Sequence, residues 1–118
     1  MILIVDDNML NLALTRAVLE RAGYEVQSAS TADEAVDQIG RRRPALVLMD
    51  VQLPGRSGLE VTRELKSEPA TASIPIVALT AHAMVGDEKM ALAAGCAGYI
   101  SKPIDTRTFA EQVSRFLS

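Results

Sequence analysis

Apolar residues occur along this chain in two rhythms. Ile2-Leu3-Ile4-Val5, Leu46-Val47-Leu48-Met49 and Ile76-Val77-Ala78-Leu79 are unbroken apolar runs rich in β-branched residues. Strands buried on both faces of a parallel sheet read this way, because neither face meets water. Residues 24–28 and 98–101 are two weaker strands. Between the runs the apolar period lengthens to that of helices, and the ends carry caps. The first helix spans residues 8–22, after Asp7-Asn8, and stops at Gly23, a residue that enters the left-handed region without penalty. Thr31 with Glu34, and Ser57 with Glu60, have the spacing of capping boxes ahead of the second and third helices. A fourth helix runs over residues 84–94 to Gly95. A fifth starts after Asp105 and sets Phe109, Val113, Phe116 and Leu117 on one stripe.

Five rounds of strand then helix predict an α/β sandwich, a parallel sheet covered by helices on both faces. Five strands suit the doubly wound, flavodoxin-like (βα)5 arrangement with strand order 2-1-3-4-5. The 118 residues, 48% of them hydrophobic, make one domain over 1–118 with a real core. The 15 acids against 12 bases exclude the basic surface that direct nucleic-acid binding needs. The apolar start gives way to Asp6-Asp7 after five residues, too short for a signal-peptide core or for membrane insertion. The single Cys96 excludes an internal disulfide and fits a reducing compartment, so a cytoplasmic location is expected.

In open α/β sheets ligands bind beyond the carboxyl ends of the strands. The first run ends in Asp6-Asp7, the third in Asp50, the fourth in Thr80 and the fifth in Lys102-Pro103. With strand 2 at an edge, these four strands are neighbours and their end residues converge on one rim. Taken singly, Asp7 reads as a helix cap, Thr80 as a turn cap and Lys102 as a surface lysine. Taken together they do not, since three carboxylates at one rim repel one another unless a cation lies among them. Hard oxygen ligands of this kind suit Mg²⁺. A divalent cation, an ammonium and a hydroxyl around one carboxylate make a phosphoryl-transfer site with Asp50 as acceptor. Asp6-Asp7-Asn8 stands where a dinucleotide fold needs its glycines, and there is no G-x-S-x-G elbow. The one histidine, His82, lies at the same rim, where it reads either as a tuning group or as an exposed loop residue.

The segments I-L-I-V-D-D-N at 2–8, L-V-L-M-D-V-Q-L-P-G-R-S-G at 46–58, A-L-T-A at 78–81 and G-Y-I-S-K-P-I at 98–104 fall in a fixed order along the whole chain. In this the chain resembles the receiver domains of response regulators, of the CheY-like type. The D-D-N-x-x-N run at 6–11 is most similar to stand-alone DivK-type regulators and to receivers of hybrid kinases. The resemblance implies a phosphoacceptor switch of a two-component system or phosphorelay, a single receiver without an effector domain. Asp50 would be the phosphoacceptor. Asp6, Asp7, Asp50 and the backbone carbonyl of Gln52 would hold Mg²⁺ or Mn²⁺. Thr80 and Lys102 would contact the phosphoryl group, Thr80 and Tyr99 would form the switch, and Gln52 and His82 would tune hydrolysis. The donor would be a histidine kinase or histidine phosphotransfer protein. A downstream protein would read the face of the fourth helix, fifth strand and fifth helix. Such a protein is not an enzyme beyond the phosphorylation and dephosphorylation of its own Asp50. The resemblance also makes Lys102-Pro103 a candidate cis peptide. The runner-up, a haloacid-dehalogenase-like Mg²⁺ phosphatase, wants a second acid where Gln52 stands and a cap domain for which there is no length. A structural docking module would not need all five rim groups.

On the first helix, Leu14, Val18 and Ala22 are expected to form the inward stripe. Met9, Leu10, Ala13 and Ala17 then read either as a docking surface beside the rim or as a wider buried face. Arg41-Arg42-Arg43 reads as a solvated helix C-terminus. Without Asp6, Asp7 and Asp50 the chain has twelve acids against twelve bases, so its formal charge of −3 equals that of the three rim carboxylates.

Overall fold

The computed structural model describes residues 1–80, 85–102 and 104–117. His82, the Lys102–Pro103 peptide and the expected start of the fourth helix at Met84 lie outside them. In chain order the elements are β1 (Ile2–Val5), α1 (Met9–Arg21), β2 (Val26–Ala29), α2 (Ala32–Arg41), β3 (Leu46–Asp50), α3 (Gly58–Ser67), β4 (Ile76–Thr80), α4 (Val85–Ala94), β5 (Gly98–Ser101) and α5 (Phe109–Ser114). The sheet is parallel throughout, in the order β2-β1-β3-β4-β5.

Each central strand is buried along its whole length and feeds two cores by alternation. Leu3, Val5, Val47, Met49, Ile76 and Ala78 pack under α2, α3 and α4. Ile2, Ile4, Leu46, Leu48, Val77 and Leu79 pack under α1 and α5, around Phe109. This two-sided burial is why the runs show no polar alternation.

The helix ends follow from local chemistry. The Asn8 side chain accepts the amides of Leu10 and Asn11 at the start of α1. Thr31 accepts the Glu34 amide at 3.1 Å, and the Glu34 carboxylate reaches back to accept from the Ser30 hydroxyl at 2.7 Å and the Thr31 hydroxyl at 3.4 Å. Ser57 accepts the amide of Leu59. At the end of α1, Gly23 has φ +98°, its amide meets the Glu20 carbonyl, and the Tyr24 amide meets the Leu19 carbonyl. Those two bonds make a Schellman cap. Tyr24 therefore belongs to the helix stop, and β2 begins at Val26 instead of residue 24.

Two expectations on helices are corrected. The buried face of α1 is Leu12, Thr15 and Leu19, whereas Leu14 and Ala22 are exposed and Val18 is half-buried. Apolar residues surround this helix, so periodicity alone does not choose a face; the cap at Asn8 sets the phase. The second concerns α5, which starts at Phe109 because Asp105 first caps a turn, accepting the Arg107 amide at 2.9 Å. Phe109 and Val113 are buried, while Phe116 and Leu117 pack half-buried beyond the helix end. The three arginines are exposed, and each has a partner: Arg41 pairs with Asp37, Arg42 with Glu25, and Arg43 donates to the Ala70 carbonyl.

Candidate functional site

Backbone hydrogen bonds carry the ladder one step past the strands and so fix the rim. The Asp6 amide donates to the Ala29 carbonyl at 3.0 Å, Val51 to Leu79 at 3.0 Å and Lys102 to Thr80 at 2.7 Å. Asp6 after β1, Asp50 at the end of β3 and Lys102 after β5 thereby meet at the carboxyl ends of the strands.

Asp6 and Asp50 are held in the same way. Oδ1 of Asp6 accepts the Asn8 amide at 2.9 Å, and Oδ1 of Asp50 accepts the Gln52 amide at 3.0 Å. The Oδ2 atom of each lies 3.1 Å from Lys102 Nζ, so one ammonium bridges the two buried carboxylates. Asp7 is exposed, and it offers an oxygen within 4.8 Å of one from Asp6 and one from Asp50. Asp6, Asp7, Asn11, Asp50, Gln52 and Lys102 line an open pocket of about 470 Å³.

Burial pushes the Asp50 carboxyl above the usual carboxylate range; the Gln52 amide and Lys102 oppose this, and the charge of Asp6 adds to it. For Lys102 burial acts downward, but its bonds to Asp50 and Asp6 outweigh it and its pKa is raised. The ammonium remains charged and the Asp50 carboxyl is poorly solvated. Three carboxyl groups against one ammonium leave a negative surplus of hard oxygens. That donor set fits a small divalent cation.

Thr80 ends β4 and is buried. Tyr99 is half-buried and packs against the core under α2, α3 and α4. Of the residues expected at the rim, Asp6, Asp7, Asp50, Gln52 and Lys102 line one pocket, and His82 lies outside the described residues. Three contributors were not singled out from sequence. Asn11 borders the pocket one turn into α1. Gly58 lies so close to Asp50 that a Cβ there would stand 2.0 Å from the Asp50 carbonyl oxygen. Its signal is a glycine opening a helix, where propensity gives no reason for one. Thr15, buried on α1, sits behind the rim.

Residues 2–114 match the response regulator receiver domain family. The chain belongs to that family. Among its relatives, the polar-differentiation response regulator DivK of Brucella anthropi is 46% identical over 116 residues, which cover 98% of this chain and 94% of DivK. A chemotaxis response regulator of Vibrio cholerae superposes with a TM-score of 0.92 at 27% identity, covering 98% of this chain and 97% of the other. The receiver domain of a sensor histidine kinase from Pseudomonas aeruginosa, solved with a magnesium ion coordinated in its active-site cleft, gives 0.88 at 34% identity, covering 98% and 95%. The receiver is thus a phosphoacceptor signalling switch of two-component signal transduction, and nothing in these likenesses supports a haloacid-dehalogenase phosphatase. Receivers of this family interact with histidine kinases and with downstream targets. Among the described residues of this receiver, no helix is long and apolar enough to cross a membrane.

Proposed function

We propose that Asp50 is the phosphoacceptor and that this receiver takes its phosphoryl group from a phosphohistidine. The observation that carries the reading is the Lys102 ammonium, 3.1 Å from both Asp6 and Asp50, which each offer an oxygen within 4.8 Å of one from Asp7. Asp6, Asp7, Asp50 and the Gln52 carbonyl would hold Mg²⁺ or Mn²⁺, and the ion, when bound, supplies positive charge for the oxygens of the phosphoryl group. The Asp50 carboxylate attacks phosphorus in line. A new O–P bond forms as the N–P bond to the donor imidazole breaks, and the electron pair leaves on the ring nitrogen. Lys102 supports the negative charge on the transferred group, and the Thr80 hydroxyl donates to it. Small donors such as acetyl phosphate serve as well, because the receiver contributes most of the reacting groups. Catalysis is confined to the gain and loss of phosphate at Asp50, with Gln52 and His82 setting the lifetime.

The exposed apolar face of α1 supports docking of the donor beside the rim: Met9 is 71%, Leu10 82% and Leu14 44% exposed. A histidine kinase or histidine phosphotransfer protein would pack a helix pair there. Output passes through the surface of α4, β5 and α5 to a protein partner, in the cytoplasm. Incubation with acetyl phosphate and Mg²⁺, followed by intact mass measurement, tests the chemistry. One phosphoryl group is expected, lost in Asp50→Asn and under chelator. A folded protein that gains no mass would overturn the assignment.

A further inference from the structure

Behind the rim lies a second, much smaller cavity of about 30 Å³. Its polar lining is Asp6, Asn11, Thr15 and Lys102, with Leu79 and Ile104 among its apolar walls. An empty cavity in a protein is lined by apolar groups, whereas one with two to four polar partners and room for a probe sphere of about 10–15 Å³ or more can hold a water. Thr15 adds a second and independent observation. It is 3% exposed, and its hydroxyl makes no hydrogen bond to the described residues; because no buried side-chain polar atom among them is left unsatisfied, the surface this hydroxyl keeps faces the cavity it lines. The other buried helical threonine, Thr62, satisfies itself by donating to the Gly58 carbonyl at 2.8 Å. A hydroxyl that does not turn back onto its own helix, and that borders a polar cavity, has its partner inside that cavity.

Lys102 carries a matching need. An ammonium has three donors, and two are directed at Asp6 and Asp50. Its side chain is 17% exposed and borders both the open acidic pocket and this cavity, so the cavity is within reach of the third donor. We infer that this cavity holds one ordered water that accepts from Lys102 Nζ and bonds to Thr15 Oγ1, making Thr15 a positioning residue for the lysine. Asn11 borders both this cavity and the acidic pocket. The water fixes the ammonium from behind, so that it stays between the two carboxylates while the groups in front of it change. The positioning role rests on the reading of Lys102 as the phosphoryl contact; the water site does not.

Two variants separate the hydroxyl from the shape around it. Thr15→Val keeps the side-chain outline and removes the donor and acceptor, whereas Thr15→Ser keeps the hydroxyl. High-resolution crystal structures should show a water within hydrogen-bond distance of Thr15 Oγ1 and Lys102 Nζ in the wild type, and its counterpart in Thr15→Ser, but none in Thr15→Val. At saturating Mg²⁺, phosphorylation of Thr15→Val by acetyl phosphate should be about tenfold slower, the effect of one hydrogen bond to a charged group, with Thr15→Ser close to wild type. A cavity without water density in the wild type overturns the site. A Thr15→Val rate equal to wild type, or a loss that serine does not restore, overturns the positioning role. A wild type that shows the water but gains no phosphoryl group overturns the reading of the rim and leaves the water site standing.

Discussion

Asp6 and Asp50 each divide their oxygens between a backbone amide two residues on and the shared ammonium of Lys102. Such bonding ordinarily favours a carboxylate, yet the Asp50 carboxyl is raised, because burial outweighs its partners and Asp6 adds repulsion. The ionised form is therefore less stable in the fold than in the unfolded chain. A folded pKa above the unfolded one means that the native state binds the extra proton. Stability then falls as pH rises from the ordinary aspartate value to the raised one, and the deficit is fully present above that window. Asp50→Asn removes the deficit. Without Mg²⁺, the variant should melt above the wild type at pH 7, and the gap should narrow toward pH 4 as wild-type Asp50 takes up its proton. Thermal melts at the two values check this. A variant that melts lower at pH 7 would mean that the Lys102 pair outweighs the burial of charge.

At the level of elements, glycine separates the positions that serve the site from those that do not. Gly58 opens α3 under the Asp50 carbonyl, and its own amide donates to the Val51 carbonyl at 2.9 Å. An added methyl would have to displace backbone there, so Gly58→Ala should cost about 1–3 kcal/mol and disturb Asp50. Gly40, inside α2, has open space around an added Cβ. Gly40→Ala should stabilise by about 0.5–1 kcal/mol, since alanine loses less backbone freedom in a helix. Denaturant unfolding of both variants tests the contrast; equal effects of one sign would remove it. The same elements show what could be read from sequence. The central runs named their strands because two-sided burial forbids polar residues, and the strand ends then named Asp6, Asp50, Thr80 and Lys102. The phase of α1 could not be read, because apolar side chains surround it and a threonine occupies its buried face. Nor could the closeness of Gly58 to Asp50, which depends on how the loop after β3 returns; Tyr24 looked like strand because its role in the Schellman cap is made by its backbone.

For the whole molecule, the sheet joins the rim to the surface of α4, β5 and α5 proposed for output. Ala78 and Tyr99 are register partners across β4 and β5, and paired residues in a sheet point to the same face. Ala78 packs in the core under α2, α3 and α4, as does Tyr99. Thr80, two residues on from Ala78, points to that face as well and is a diagonal neighbour of Tyr99. In the proposed switch, a phosphoryl group on Asp50 would give the Thr80 hydroxyl a new acceptor; movement of Thr80 toward it would open space beside Tyr99 for the ring to turn inward. On this proposal the surface of α4, β5 and α5 would shift between two packed states. Thr80→Ala keeps Asp50, Lys102 and the acidic cluster, so it should still gain one phosphoryl group from acetyl phosphate. It lacks the hydroxyl that links the phosphoryl group to the tyrosine. On phosphorylation, NMR signals of the Tyr99 ring and of β5 amides should move in the wild type and stay nearly still in Thr80→Ala. Equal shifts in the two proteins would show that the change reaches Tyr99 by a route that bypasses Thr80.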